Sequence, residues 1–404
     1  MQSTTDIAII GGGLAGRMMA LAAARAGLSA TIIDKAPKGD LEADAFDGRS
    51  YAMAHSSVRM LRKLGLWDHL EQVSQPILDI KISDGPVHGT PSAPLLHFDH
   101  HDLYEGPMGH MVEDRHLRPA LVEMLDEVKT IHYLDKTEIV DAEQEGRYLK
   151  LIARDGSDLR AKIAVCADGR TSAFAKSVGI GYEGWDYAQT SLVCALEHEH
   201  QHNGIAYQHF MPPGPLAILP LKGNRCSIVW TETKENADTI MSLDERAYLD
   251  VLRPRFGTFL GKIKLVGQRY SYPLNLSLAR KFVAARTALI GDAAHGMHPI
   301  AGQGLNSGLR DIAALIDVIT EAKQRGEDIG ADATLARYQE WRRFDATALS
   351  LALDSFNHLF SSNNPILRAI RTTGIHVIEN TPSLKTAMMR QAAGLSGELP
   401  ELMR

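Results

Sequence analysis

The chain has 404 residues, of which 45% are hydrophobic and 23% are charged. This composition is ordinary for a globular protein, and the length allows two or three structural units whose core needs no disulfide or metal. With 43 basic and 49 acidic residues the net charge is −6, which argues against nucleic acid as a partner. The three cysteines are far apart and form no C-x-x-C pair, so we expect reduced thiols in a cytoplasmic protein.

Residues 7–33 are unusually apolar, yet they lack the pattern of a signal peptide or a membrane span. No basic residue precedes the run, and Arg17, Arg25 and several glycines interrupt it before the roughly 20 apolar residues that a spanning helix needs. We therefore expect a protein that is soluble or at most peripheral to a membrane.

The same segment has the pattern of a dinucleotide-binding unit. A strand pattern at residues 7–10 leads into G-x-G-x-x-G at 11–16, a helix pattern at 14–26, and a second strand pattern that ends at Asp34. In this spacing the first glycine allows a tight turn, the second lets the backbone approach a diphosphate, and the third lets the helix lie close to the strand. An acid at Asp34 is placed to bind ribose hydroxyls. This unit fits NAD as well as FAD, and its position at the start of the chain favours FAD.

Two later strand patterns also end in acids. Residues 163–167 lead into Asp168-Gly169, and residues 288–290 lead into Gly291-Asp292, before a glycine-rich loop and a long amphipathic helix. Ligands of open α/β sheets bind at the carboxyl ends of strands, so these acids are candidate cofactor ligands.

These three motifs, in this order, resemble the single-component FAD-dependent aromatic hydroxylases of the para-hydroxybenzoate hydroxylase type. Further segments are similar to the ubiquinone-biosynthesis hydroxylase branch of that family: 47–49 with Ser57, 64–67, 82–85, 298–306, 365–368 and 382–385. The resemblance covers nearly the whole chain.

The resemblance implies an FAD- and NAD(P)H-dependent monooxygenase that hydroxylates the ring of a polyprenylated phenol through a flavin C4a-hydroperoxide formed with O₂. A helix that starts near residues 304–306 would aim free N–H groups at the negative charge of reduced flavin. No second G-x-G-x-x-G appears, so we expect the nicotinamide to bind transiently. The motifs and the resemblance together predict the following cofactor-binding residues: Gly11, Gly13, Leu14, Ala15, Gly16, Asp34, Lys35, Arg49, Arg115, Asp168, Gly169, Gly291, Asp292, Pro299, Gly302, Gly304, Leu305 and Asn306.

Three of these assignments, and that of a catalytic base, have plainer alternatives. Arg49 could be a solvated surface arginine, Asp292 a helix cap, and Arg115 one half of a surface ion pair. His298 is the candidate catalytic base, but it and His295 could instead only orient their loop through backbone hydrogen bonds.

Residues 198–202, with histidine at alternate positions, invite a metal interpretation. The run is polar and has no acid partner in an apolar setting, so we favour a solvated hairpin and predict no metal site.

The predicted fold is α/β, a Rossmann-like FAD-binding domain with an inserted, mostly antiparallel β-sheet substrate domain and a C-terminal helical segment. The FAD domain is expected at 1–75, 105–178 and 272–345, the substrate domain at 76–104 and 179–271, and the helical segment at 346–404. Leu219, Leu221 and Trp230 are candidates to line the substrate pocket, with a plain core role equally open.

The C-terminal segment has apolar stripes and basic residues, with Leu367, Ile370, Arg368 and Arg371 among them. It could dock on a membrane, although we favour a helix packed on the FAD domain. Two other functions stay open, a hydroxylase of a small soluble aromatic and a non-catalytic flavoprotein in a biosynthetic complex. A long-chain substrate predicts an apolar tunnel, whereas a small acid predicts a buried arginine near the ring.

Overall fold

The computed structural model describes residues 4–41, 46–85, 95–170, 172–361 and 373–404. Within these residues the chain forms two eight-stranded sheets and one three-stranded sheet, covered by helices, so the predicted α/β class is confirmed. In chain order the strands are β1 (Thr4–Ile10), β2 (Ala30–Ile33), β3 (Ser50–Ala54), β4 (Gln75–Ile77), β5 (Asp79–Asp84), β6 (Leu96–Asp99), β7 (Gly109–Glu113), β8 (Ile131–Leu134), β9 (Ile139–Glu145), β10 (Tyr148–Ala153), β11 (Asp158–Cys166), β12 (Tyr182–His198), β13 (Ile205–Phe210), β14 (Leu216–Leu221), β15 (Arg225–Thr233), β16 (Ile263–Ala279), β17 (Val283–Ala284), β18 (Thr287–Leu289) and β19 (His295–Gly296).

The helices alternate with the strands in the first part of the chain and follow them at the end. They are α1 (Leu14–Arg25), α2 (His55–Lys63), α3 (Trp67–Leu70), α4 (Asp114–Asp126), α5 (Ala173–Ser177), α6 (Lys234–Ser242), α7 (Glu245–Phe256), α8 (Gln303–Gln324), α9 (Asp332–Ser361) and a last helix, Pro382–Ala392. The short 3₁₀ helices are Lys38–Leu41, His100–Leu103, Gly291–Ala293, Ile300–Gly302 and Glu401–Met403.

The first sheet brings the three predicted cofactor motifs to one edge. β1 is parallel to β2 and to β11, and β11 is parallel to β18. Ile10 pairs with both Ile33 and Cys166, and Cys166 pairs with Leu289, so the four strands end level with one another. Because the sheet is covered on both faces, its strands are continuous apolar runs.

The second sheet has the order β19-β16-β12-β15-β14-β13-β5-β6. Its pairings are antiparallel except for the parallel pair β5–β13, and the strands expected in residues 76–104 join it as β5 and β6. Two helices that the sequence pattern did not indicate, α6 and α7, pack on one face. At one edge of the sheet, β19 pairs with β16, so the loop that follows β18 is hydrogen-bonded to this sheet.

The C-terminal region packs on the rest of the chain. Met389 and Met403 are fully buried, and the N–H of Ser56 donates to the carbonyl of Ala393 at 3.1 Å. Met389 of the last helix packs in an apolar cluster with residues of the second sheet, whereas Met403 packs in the core of the first sheet, so packing on the expected FAD domain holds only for the end of the chain. Leu367, Arg368, Ile370 and Arg371 lie outside the described residues. No described helix combines the length and the apolar character needed to cross a bilayer.

Candidate functional site

The glycine turn after β1 is closed towards the sheet and open on its other side. Gly11 has a φ of 108°, and a Cβ there would lie 2.5 Å from the carbonyl oxygen of Ala167. A Cβ on Gly16 would lie 1.9 Å from the carbonyl oxygen of Gly11, whereas one on Gly13 would meet nothing within 4 Å. Since α1 starts at Leu14, its first N–H groups face this open space, which is the arrangement that binds a diphosphate.

Asp34 lies beside this turn with a fixed carboxylate. It accepts hydrogen bonds from the N–H groups of Ala36, at 2.8 Å, and of Gly12. Lys35 is exposed next to it. Tyr133 closes the other side, because a Cβ on Gly12 would lie 2.1 Å from its hydroxyl. The remaining lone pairs of Asp34 can accept from ribose hydroxyls, as predicted from its spacing.

The second and third motifs are joined by Arg170, to which the sequence analysis assigned no role. Its guanidinium donates to Asp292 at 3.1 Å, to the side chain of Asn275 at 3.0 Å and to the carbonyl of Met297 at 3.2 Å. Asp168 and Gly169 directly precede it. The Asp292 side chain is 44% exposed, so this ion pair leaves the carboxylate open to a ligand.

A buried charged cluster supports the turn that follows β18. Asp311 accepts from the N–H of Gly291 at 2.9 Å, from His295 at 2.6 Å and from Arg342 at 2.8 Å. Burial alone would raise the pKa of Asp311, but His295, Arg342 and the Gly291 N–H outweigh burial and lower it. Sequence reasoning missed Asp311 and Arg342. The signal was available, since Asp311 interrupts the apolar face of α8.

α8 starts at the edge of this turn, and Asn306 anchors the start. Gly302 caps the helix with a φ of 62°, and a Cβ on Gly304 would meet nothing within 4 Å. The Asn306 amide oxygen accepts from the Ala54 N–H and the Ser57 hydroxyl, both at 2.8 Å, and its NH₂ donates to two backbone carbonyls. The predicted cofactor contact by Asn306 therefore has to come from its backbone, because the side chain is fully used. Pro299 and Leu305 are partly exposed beside it.

His298 is buried behind the same loop. It is 1% exposed, and neither ring nitrogen has a hydrogen-bond partner among the described residues. Burial, reinforced by the charge of Arg170, lowers its pKa to about 4. The ring is neutral at pH 7, and its role as a base stays a prediction. His295 instead orients the loop, through a carboxylate and not through the backbone.

Arg49 and Arg115 are both held by acids. Arg49 pairs with Asp47 at 2.6 Å and with Asp114 at 3.2 Å, so it is not a solvated arginine. Arg115 pairs with Glu113 at 2.7 Å, so it forms an ion pair as in its plainer alternative, but with a buried acid at the end of β7 and not with one on the helix surface. Contact of either guanidinium with a cofactor stays a prediction.

The two faces of the second sheet differ, and Trp230 has the plain core role that the sequence analysis left equally open. Trp230 is fully buried between the sheet and α7, where it packs with Tyr248. Leu219 and Leu221 lie on the opposite face. Successive side chains of a strand point to opposite faces of the sheet. The faces of Leu219 and Trp230 therefore follow from their positions along the strands and not from their apolar character.

The histidine-rich run is also different from the expected solvated hairpin. His198 and His202 are 4% and 8% exposed and contact each other edge to face at 5.6 Å. Each ring bonds to a backbone carbonyl, of His200 and Leu221 respectively.

An open glycine turn, three acids that follow strands and a free helix N-terminus, all at one edge of the first sheet, define a Rossmann-type dinucleotide-binding protein. Residues 4–350 match the family described as FAD binding domain. The chain therefore belongs to this family, with FAD as its cofactor, and is an FAD-dependent oxidoreductase.

Relatives and solved structures agree over nearly the full length. Ubiquinone hydroxylase UbiL of Rhodospirillum rubrum is 41% identical, over 99% of this chain and 92% of that protein. The 3-demethoxyubiquinol 3-hydroxylase of Escherichia coli is 32% identical, over 97% of this chain and 99% of that protein. The p-nitrophenol 4-monooxygenase PnpA of Pseudomonas putida DLL-E4 shares the fold, with a TM-score of 0.79 at 18% identity over 98% of this chain and 100% of that one.

Proposed function

We propose that this protein hydroxylates the aromatic ring of a polyprenylated phenol in ubiquinone biosynthesis, using NAD(P)H and O₂. The observation that carries the proposal is the 41% identity with a ubiquinone hydroxylase across nearly both chains. Bound FAD supplies electron transfer from the nicotinamide and the activation of O₂. The chain has to bind the cofactor, hold the phenol beside it and exclude water.

The face of the second sheet opposite Trp230 supports an apolar substrate. Gln208, Ala217, Val229 and Val193 form one row across four paired strands and are partly exposed, although they lie at the centre of the sheet. Partial exposure there indicates a hollow above the row. The row and the neighbouring Leu219 carry no basic side chain to bind the carboxylate of a small aromatic acid, which favours the prenylated phenol.

An apolar cluster leads away from this hollow and gives a direction for the prenyl chain. It runs from Leu219 through Phe210 and Phe360, whose ring centroids are 4.1 Å apart, to Phe98 and Met389. Phe98, Phe210, Phe360 and Met389 are 0–5% exposed, so these side chains would have to move apart to admit a prenyl chain. The prenyl chain itself would gain roughly 25 cal/mol for each Å² of its apolar surface removed from water. We propose that the prenyl chain lies in a tunnel along this cluster.

In this proposal the first turn of α8 stabilises negative charge on the cofactor, and Asp292 and Asp34 hold its polar chain. Neutral His298 is the proposed acceptor of the phenolic proton, although its burial and its pKa of about 4 oppose the uptake of a proton. The substrate reaches a cytoplasmic enzyme through peripheral contact with the membrane or through a partner protein of the pathway. The net charge of −6 disfavours direct binding to an anionic membrane, so we propose a partner protein.

The test is deletion of the gene, in a strain without redundant hydroxylases, followed by mass spectrometry of quinone precursors. We expect a prenylated phenol that lacks one ring oxygen to accumulate. The wild-type gene should restore the quinone, and the gene with Asp292→Ala should not. Trp230→Phe, which alters only the packed face, should restore it. Unchanged quinone after deletion would refute the pathway assignment.

A second measurement separates the prenylated phenol from a small aromatic acid. Purified enzyme should oxidise NAD(P)H faster when a short-chain prenylated phenol is added than when 4-hydroxybenzoate is added. The reverse order would support the small-substrate alternative.

A further inference from the structure

Arg17 is a buried cation that has no acidic partner among the described residues. It lies on α1, one residue after the glycine turn, and is 3% exposed. Its Nε donates to the carbonyl of Gly12 at 2.8 Å, and its NH₂ group donates to the carbonyl of Lys38 at 3.2 Å. The guanidinium lies 5.3 Å from the centre of the Tyr133 ring. Arg17 thus contacts carbonyl dipoles and an aromatic face, and in the described part of the chain no carboxylate lies within ion-pair distance of it.

A buried charge of this kind is costly. An ion removed from water loses several kcal/mol unless an opposite charge and hydrogen bonds compensate, and backbone carbonyls compensate only in part. The other buried guanidinium beside the cofactor motifs, that of Arg342, pairs with Asp311 at 2.8 Å. The contrast shows that this fold can supply a carboxylate to a buried arginine, whereas the part of the chain that the structure describes supplies none to Arg17.

The position of Arg17 indicates where the missing negative charge comes from. The carbonyl that accepts from its Nε and the N–H of Gly13 belong to the same peptide group. A cation at the carbonyl end polarises that group and makes the N–H a stronger donor. That N–H lies where the turn is open, at the N-terminus of α1, and a bound diphosphate would therefore lie across one peptide group from the guanidinium.

We infer that Arg17 is the counter-charge of the FAD diphosphate, acting through the Gly12–Gly13 peptide and not by direct contact. It is a positioning residue, and it sets the affinity for FAD at the expense of the stability of the empty protein. The inference depends on FAD binding and not on the proposed substrate, so it can fail or succeed independently of the hydroxylation.

The inference has a signature that a merely structural residue would not give. Replacing Arg17 with a neutral side chain should weaken the FAD complex and, at the same time, stabilise the apoprotein or leave it unchanged. A residue that only held the turn in shape would stabilise both states, so its loss would lower the melting temperature of both.

The experiment compares Arg17→Gln, which keeps an N–H donor but no charge, with Arg17→Lys, which keeps the charge. Arg25→Gln is the matched control, since it removes the same charge from the exposed end of the same helix. Apoprotein and FAD-loaded protein are melted in parallel, and the FAD dissociation constant is measured from the quenching of flavin fluorescence.

We expect Arg17→Gln to weaken FAD binding by about tenfold or more, because a unit charge acts on a diphosphate across a few ångströms of protein. Its apoprotein should melt no lower than wild type. Arg17→Lys should keep most of the affinity, and Arg25→Gln should keep all of it. Equal losses for Gln and Lys, or a lower melting temperature for the Arg17→Gln apoprotein, would overturn the inference and leave Arg17 as a structural hydrogen-bond donor.

An anion other than the diphosphate could supply the negative charge if it bound in a small cavity of about 110 Å³ beside Arg17, which Lys38 and Tyr133 also line. Inorganic phosphate is the probe. If phosphate stabilises the wild-type apoprotein but not Arg17→Gln, while both bind FAD equally, the counter-ion is a separate anion and the inference is wrong.

Discussion

The two turns predicted to bind the cofactor are built alike and supported differently. Each follows a parallel strand of the first sheet, and a helix begins after it, at Leu14 in one case and at Gln303 in the other. Behind the first turn lies Arg17, whose partners among the described residues are two backbone carbonyls and the ring of Tyr133. Behind the second, Asp311 binds His295 and Arg342, so opposite charges meet within the protein.

This difference predicts that the second turn contributes mainly to the stability of the protein and the first turn mainly to its affinity for FAD. The second turn is stabilised by groups that are all present in the empty protein, so its shape should not depend on the cofactor. The first turn is complete only when a ligand supplies negative charge. We expect substitutions behind the second turn to lower the free energy of unfolding, and those behind the first to act mainly on FAD binding.

The largest effect is expected from Asp311→Asn. The substitution leaves Arg342 buried without its carboxylate, and breaking a buried pair of this kind costs about 3–5 kcal/mol of unfolding free energy. Urea denaturation of the apoprotein measures it. Asp292→Asn removes the same charge from the exposed side of the same turn and should cost less than about 1 kcal/mol. If the two variants were equally stable, the buried cluster would not be what supports this turn.

The next effect is a pH dependence that comes from His298. Its pKa is lowered from 6.5 to about 4, so between these values the unfolded chain binds a proton that the folded protein excludes. Stability is therefore fully present above pH 6.5 and falls as the pH drops towards 4, by roughly 3 kcal/mol in all. His298→Leu should flatten the stability profile in this range, as measured by urea titrations at several pH values. A profile unchanged by this substitution would show that the ring is protonated or hydrated in the folded protein.

Sequence patterns located the cofactor turns but not what lies behind them. The acids at Asp34, Asp168 and Asp292 follow apolar runs, and parallel strands must end at one edge, so their meeting point was predictable. Arg17 and Asp311 were visible only as charges that interrupt an apolar helix face, and the pattern does not say what a buried charge will contact. Partners such as Arg342 lie on other elements, and only the packing of helices brings them together.

The face of the sheet on which each strand residue lies was the second feature that could not be predicted from the sequence. Apolar character alone placed Trp230 with Leu219, although the two lie on opposite faces. A strand that is buried on both sides shows little alternation between polar and apolar residues, so its register cannot be read from hydrophobicity. The pairing of Trp230 with Leu216, and not with Leu219, is what fixes its face.

Substitutions at two glycines of the first turn distinguish an effect on the packing of the helix from an effect on the space for the ligand. Gly16→Ala places a methyl group 1.9 Å from a backbone oxygen, which forces the helix away from the strand and should cost about 1–3 kcal/mol. Gly13→Ala meets nothing in the empty protein, so its stability should stay within about 0.5 kcal/mol of wild type. The added methyl group points into the space expected for the diphosphate, so FAD binding should weaken. Denaturation of the apoproteins and FAD titrations check both. Normal FAD affinity in Gly13→Ala would show that the diphosphate does not bind at this turn.

The smallest effect tests how far the support of the second turn extends into α9. The buried hydroxyl of Tyr338 donates to the carbonyl of Leu289, at the end of β18, over 2.7 Å. Tyr338→Phe keeps the ring and removes this bond, which should cost about 1 kcal/mol of unfolding free energy. FAD affinity should not change, because the second turn keeps its charged cluster. A loss of affinity with little loss of stability would instead mean that the second turn, like the first, is completed by its ligand.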